Sequence, residues 1–204
     1  REWRVLSWLA PSLELDPYQE KYPFSVVPDK KVSAQDIMAI CRDHYEGTEF
    51  DLTKGLAAGP FGSPDRWGGN SSRDSKVAGS AGWERAISLH RTNFTTVSVA
   101  RSGMPAAIGS LTWVGLAAPH ATCFVPVYAG ATSLPASYDA GRRGSDYDVF
   151  SRESAWWAFN VVENYANVKY SYMIEDIKAM QNKYESEFFA MQPIIEETAL
   201  NLYK

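Results

Sequence analysis

Residues 106–130 read AAIGSLTWVGLAAPHATCFVPVYAG, and the fold class turns on this stretch. Its small and apolar residues predict two β-strands joined at a Pro119-His120 corner. Gly109, Gly115 and Gly130 fall inside it, and glycine in a strand marks a place where another backbone or a ligand comes close. None of these residues forms a reaction centre alone. The stretch is read as the wall of a site whose other parts lie elsewhere.

Upstream, Ala86 to Ala100 (AISLHRTNFTTVSVA) is rich in β-branched residues and predicts a further strand, turned back at Arg101-Ser102-Gly103. Connections this short favour an antiparallel sheet. Downstream, residues 131–150 form a polar loop containing Arg142-Arg143-Gly144, after which Ser151 is the expected helix cap. Trp156, Phe159 and Val162, then Tyr170, Met173, Ile177 and Met180, recur at helical spacing. They predict a first helix, then a second running towards Met191 and interrupted at Pro193. Both should lie across one face of the sheet, with the Trp156-Trp157-Phe159 stripe in the core.

The first third is looser. Residues 3–9 carry a short helical pattern stopped at Pro11, and residues 13–31 are irregular, with prolines at 17, 23 and 28. Ser33 is a good N-cap with Asp36 in the capping-box position. Ile37, Ile40, Cys41 and His44 then share a helical face, which puts Cys41 in the core. Residues 43–66 have the glycine and proline content of a long ordered loop, a kind usually functional. The loop contains neither GxxxxGK[ST] nor GxGxxG, so a nucleotide cradle is not supported. Residues 67–82 are rich in Gly and Ser and predict a mobile loop. The result is an α+β chain: one helix, a long loop, an antiparallel sheet, then helices.

The chain has 204 residues, 45% hydrophobic and 22% charged, enough for a sizeable core. Its net charge of −4, with no basic run, argues against nucleic acid or an anionic membrane as partner. No apolar run reaches the roughly 18 residues of a membrane-spanning helix. Two cysteines and three histidines in unrelated contexts give no disulfide framework and no metal-ligand spacing, so no metal or other cofactor is expected. The opening Arg1-Glu2-Trp3-Arg4 has no Met and no signal-peptide pattern, and is read as the start of a piece of a longer protein.

Four stretches, YPFSVVPDKKVSAQDIM (22–38), RDHYEGTEFDLTKGLAAGPFGSPDR (42–66), WVGLAAPHATCFVPVYAG (113–130) and SAWWAFNVVENYANVKYSYM (154–173), together carry a family resemblance. They resemble the C-terminal half of the dipeptidases of family sixty-nine of the cysteine peptidases, which are N-terminal-nucleophile (Ntn) hydrolases and relatives of the secernins. Pro119-His120 resembles a signature of the dipeptidase branch. The resemblance implies a four-layer αββα sandwich with antiparallel sheets, of which residues 1–204 would be the C-terminal portion. It also implies hydrolysis of dipeptides of broad sequence by a cysteine freed at the mature N-terminus, whose own α-amino group acts as base.

The chain departs from that pattern at its first residue. Arg1 is not a nucleophile, and Cys41 and Cys123 match no nucleophile motif, so the attacking cysteine is expected outside this chain. Related amide hydrolases place an arginine beside the nucleophile in an Arg-x-x-Arg-like stretch, which makes Arg1, before Arg4, the catalytic candidate. A dipeptide also needs its carboxylate and ammonium recognised. Asp51, Thr53 and Lys54 in the glycine-rich loop are the substrate-binding candidates, with His120 lining the pocket. The expected partners are a dipeptide, the N-terminal remainder of the same protein and further copies in a homo-oligomer; the cytoplasm is the favoured compartment. The alternatives are a secernin-like binding or regulatory protein, and an amide hydrolase or acyltransferase acting on non-peptide substrates.

Overall fold

In the computed structural model, which describes residues 1–65, 85–139 and 149–203, the middle of the chain forms a three-stranded antiparallel sheet. The chain divides into two compact units, Arg1–Leu89 and His90–Lys204. The expected loop at 67–82 and the Arg142-Arg143-Gly144 segment lie outside the described residues.

In the first unit, α1 spans Glu2–Leu9 and a 3₁₀ turn follows at Pro11–Leu13. Helix α2 spans Ala34–Cys41. Its capping box forms as the sequence predicts: Ser33 Oγ accepts from Asp36 N at 3.1 Å, and the Asp36 carboxylate accepts from Ser33 N at 2.9 Å. The helix buries Met38 and Ile40 and leaves Ile37 and Cys41 half-buried, so the expected inward stripe is turned aside. His44 lies past the last helical turn and is buried there, outside the helical register. That loop is ordered through a 3₁₀ segment at Leu56–Phe61.

In the second unit, β1 is Phe94–Ala100, β2 is Ser110–Leu116 and β3 is Val125–Tyr128. The predicted strand is shorter than expected, because residues 86–93 have no ladder partner and only Phe94 onward pairs with β2. One helical turn, α3 (Ala106–Gly109), precedes β2, and α4 (Ala136–Asp139) follows β3. In β2 the buried residues Leu111, Trp113 and Gly115 alternate with half-buried ones, as a strand covered on one face requires. Pro126 stands opposite Trp113 on β3, an end strand of the order β1-β2-β3, where a missing N–H is tolerated. A Cβ on Gly115 would lie 2.6 Å from Thr122 Cγ2, and one on Gly130 would lie 2.9 Å from Ala107. At both positions, therefore, it is the chain's own later or earlier segment that comes close.

Helix α5 spans Ala155–Val168 and α6 spans Tyr170–Leu202. The cap of α5 is Ser154, whose Oγ accepts from Trp157 N, and not Ser151, whose Oγ accepts from Glu153 N outside the helix. Pro193 does not interrupt α6. The turn beyond it is tied to the sheet region: Glu196 accepts from both Nη atoms of Arg101 at 2.7 Å and from Tyr128 Oη at 2.9 Å. A proline in a helix interior costs about 3 kcal/mol, and here the turn that follows it is held by these bonds. Trp113 stacks on Phe189 of α6 at 4.2 Å, so the long helix covers the buried face of β2. Trp156, Trp157 and Phe159 are half-buried, correcting their expected core position. The buried residues of α5 are Ala155, Glu163 and Ala166 instead.

Candidate functional site

In the first unit the turn Asp43-His44-Tyr45-Glu46 is held by its own carboxylates. Asp43, 4% exposed, accepts from Arg4 Nε at 3.0 Å on each oxygen and from Arg4 Nη2 at 2.6 Å. It also accepts from Tyr45 N at 3.0 Å. Arg4 donates further to the Glu46 carbonyl and lies 4.9 Å over the Trp8 ring. Glu46 accepts from His44 N at 2.5 Å and pairs with His44 Nδ1 at 3.0 Å. Burial opposes charge on Glu46, but the hydrogen bonds from His44 prevail and hold its carboxyl at about 2.

These bonds fix Tyr45 at φ +65°, a region that costs a non-glycine residue about 1–3 kcal/mol. The strained residue is also buried, and its hydroxyl donates to the Arg85 carbonyl at 2.6 Å. Burial pushes its phenol up, so it stays a neutral donor at ordinary pH. Strain of this kind, held here by Asp43 at the Tyr45 N–H and by the Arg85 carbonyl at its hydroxyl, clusters at functional sites.

Tyr45 borders a cavity of about 510 Å³. Trp3, Tyr22 and Phe50 supply further aromatic wall, Pro17 and Leu52 aliphatic wall, and Arg1, Arg85 and Glu2 the charge. The polar tips of the rings are tied to backbone: Trp3 Nε1 donates to Leu15 O at 2.9 Å, and Tyr22 Oη to Pro17 O at 2.9 Å and Asp16 O at 3.0 Å. Phe50 meets Trp3 edge-on at 5.5 Å. Arg1 Nε donates to the carbonyls of Ala86 at 3.1 Å and Arg85 at 3.4 Å, which anchors its guanidinium. Two cations and one anion over an aromatic wall suit a small molecule with an anionic end and an apolar body.

Of the residues singled out from sequence, Arg1 lies on this cavity. Arg4 does not share its setting, being committed to Asp43. Asp51 Oδ1 accepts from Thr53 N at 2.9 Å and Thr53 Oγ1 at 2.6 Å, a local turn that presents Leu52 between them to the cavity. Lys54 is exposed. His120 belongs to the second unit, where it is 3% exposed and its ring meets Tyr170 edge-on at 5.7 Å.

The segment around His120 is held by three polar side chains that apolar periodicity could not reveal. Gln181 Nε2 donates to the carbonyls of His120 and Thr122 at 2.9 Å each. Glu185 accepts from Phe124 N at 2.8 Å, and Glu163 from Ala118 N at 3.1 Å. Beside this segment lies an apolar cavity of about 420 Å³, walled by Ala121, Cys123, Val125, Phe159, Met173 and Ile177 among others. Cys41 and Cys123 form no disulfide among the described residues, and burial pushes the Cys41 thiol up, away from the reactive thiolate. Among the described residues no group of three or more His, Cys, Asp or Glu could hold a metal ion, and no helix is long and apolar enough to cross a membrane.

Compared with known proteins, residues 1–183 match the model of a family described as peptidase family C69. A protein of Latilactobacillus sakei named probable dipeptidase is 26% identical over 138 residues, which are 68% of this chain and 25% of that protein. The probable dipeptidase B of Lactococcus lactis subsp. lactis (strain IL1403) is 25% identical over the same length and shares. The probable dipeptidase A of Streptococcus pyogenes serotype M18 (strain MGAS8232) is 20% identical over 200 residues, 98% of this chain and 37% of its own. The chain thus spans about a quarter of the first two relatives and 37% of the third.

Proposed function

We propose, since the chain belongs to peptidase family C69, that it is the C-terminal portion of a dipeptidase. The nucleophile is a cysteine at the mature N-terminus of a segment outside this chain. Its thiolate attacks the scissile carbonyl, its α-amino group takes the thiol proton and returns it to the leaving amine, and water then releases the acyl group. Arg1 polarises the thiol. Asp51 and Thr53 contribute by shaping the turn that carries Leu52, and the His120 segment forms part of a sheet system belonging to a four-layer αββα sandwich.

What supports this most directly is the family match over residues 1–183, taken with the charged, aromatic cavity on which Arg1 lies. The names of the three relatives point the same way. On this reading dipeptides of broad sequence are the substrates, and the enzyme is a cytoplasmic homo-oligomer needing no cofactor.

The test is a panel of dipeptides offered to the full-length protein under reducing conditions, beside acylated β-lactams and bile-salt-like amides. Cleavage of dipeptides is expected. Cleavage of the non-peptide amides alone would favour an amide hydrolase or acyltransferase acting on non-peptide substrates, and no cleavage of either would favour a secernin-like binding role.

A further inference from the structure

From the cavity bordered by Tyr45 we infer that it receives the C-terminal residue of the dipeptide and selects an aromatic or large aliphatic side chain there. The inference rests on the dipeptidase reading and narrows its substrate class. Three observations carry it.

The wall is apolar where a side chain would lie. Trp3 and Tyr22 have their polar atoms bonded to backbone carbonyls, and Phe50 and Leu52 have none to offer. A ligand group entering there exchanges water for ring and methyl surface, at about 25 cal/mol per Å² of apolar area buried. Its volume, about 510 Å³, exceeds what a methyl group fills, so a small side chain leaves much of the wall wet or empty.

The charge at the wall is placed for a carboxylate. Arg1 is anchored through Nε to two carbonyls. Arg85 offers its backbone carbonyl to Arg1 and Tyr45, and as an exposed residue of the cavity lining it brings a second guanidinium to the site. A planar guanidinium suits a terminal carboxylate, and a C-terminal amide forfeits that match.

Glu2 adds a negative charge to the same lining, which disfavours a second carboxylate in the side chain of the bound residue. Hydrophobic wall, exposed cation and nearby anion together describe a dipeptide ending in Phe, Tyr, Leu or Met, rather than one ending in Gly, Asp or Glu.

The experiment compares Ala-X dipeptides, with X as Phe, Leu, Ala, Gly and Asp, and Ala-Phe with its C-terminal amide, in the full-length protein. Its variants are Phe50→Ala, Phe50→Leu, Arg85→Gln and Arg85→Lys. The expected result is kcat/KM for Phe and Leu at least about tenfold above Ala and Gly, a size open to a hydrophobic pocket. Phe50→Ala should level that preference through KM, and Phe50→Leu should keep most of it. Arg85→Gln should lower the acid-to-amide ratio about tenfold, and Arg85→Lys should restore part of it.

If dipeptides are cleaved but both ratios stay unchanged in Phe50→Ala and Arg85→Gln, the inference falls and the dipeptidase reading stands. If no dipeptide is cleaved, the dipeptidase reading falls, and calorimetric binding of N-acetylphenylalanine to the same proteins decides the cavity. Saturable binding lost in Arg85→Gln would support it; no binding to the parent protein would overturn it.

Discussion

Asp43 joins α1 to the strained turn at Tyr45. One buried carboxylate both neutralises Arg4 and accepts from the backbone of a tyrosine held at positive φ. Removing it leaves Arg4 a largely buried, uncompensated charge, so Asp43→Ala should destabilise the protein by about 3 kcal/mol, read from urea unfolding. Glu46 gives the pH dependence of the same turn. Its carboxyl lies at about 2 in the folded chain and near 4.3, the ordinary value, when unfolded. A lowered carboxyl contributes stability above the unfolded value, and that contribution is lost as pH falls through the window towards the folded one. The stability gap between the parent and Glu46→Gln should therefore be constant near neutrality and close between about pH 4 and pH 2. Of this turn the sequence showed only that it opens a long ordered loop within a stretch that carries the family resemblance. A carboxylate bonding a neighbouring backbone N–H is a local signal, but its pairing with Arg4, thirty-nine positions away, is made by folding alone.

At the scale of elements, legibility followed how local the cause is. Ser33 and Asp36 satisfy each other within four residues, and that capping box was readable. Ser151 and Ser154 meet the same local rule equally, and only packing of the helix start chooses Ser154. Ser154→Ala should therefore cost about 1 kcal/mol and Ser151→Ala close to nothing, in matched thermal unfolding curves. The inward face of α6 misled for a different reason. Gln181 and Glu185 are buried because they satisfy backbone groups of residues 120–124, a demand that hydrophobic period does not encode. The glycines of the opening stretch mark close approach, as predicted, though by the chain itself. Gly115→Ala should cost about 1–3 kcal/mol by overpacking. Adding Thr122→Ser, which removes the methyl 2.6 Å away, should recover part of the loss.

For the whole molecule, the α+β class and the antiparallel order were legible, since short connections and β-branched runs leave few other arrangements. The cavity was not, because its wall is drawn from residues 1–22, 45–52 and 85, which no spacing rule links. The proposed chemistry rests on family membership and the proposed substrate site on the cavity, and the attacking thiol is assigned to neither Cys41 nor Cys123. The most direct test is alkylation of the full-length protein with iodoacetamide during dipeptide hydrolysis, with the modified residue mapped by mass spectrometry and Cys41→Ala/Cys123→Ala run alongside. Hydrolysis should vanish in step with labelling of an N-terminal cysteine outside this chain, and the double variant should remain active. Hydrolysis that survives alkylation, or that is lost in the double variant, would contradict catalysis by an N-terminal cysteine.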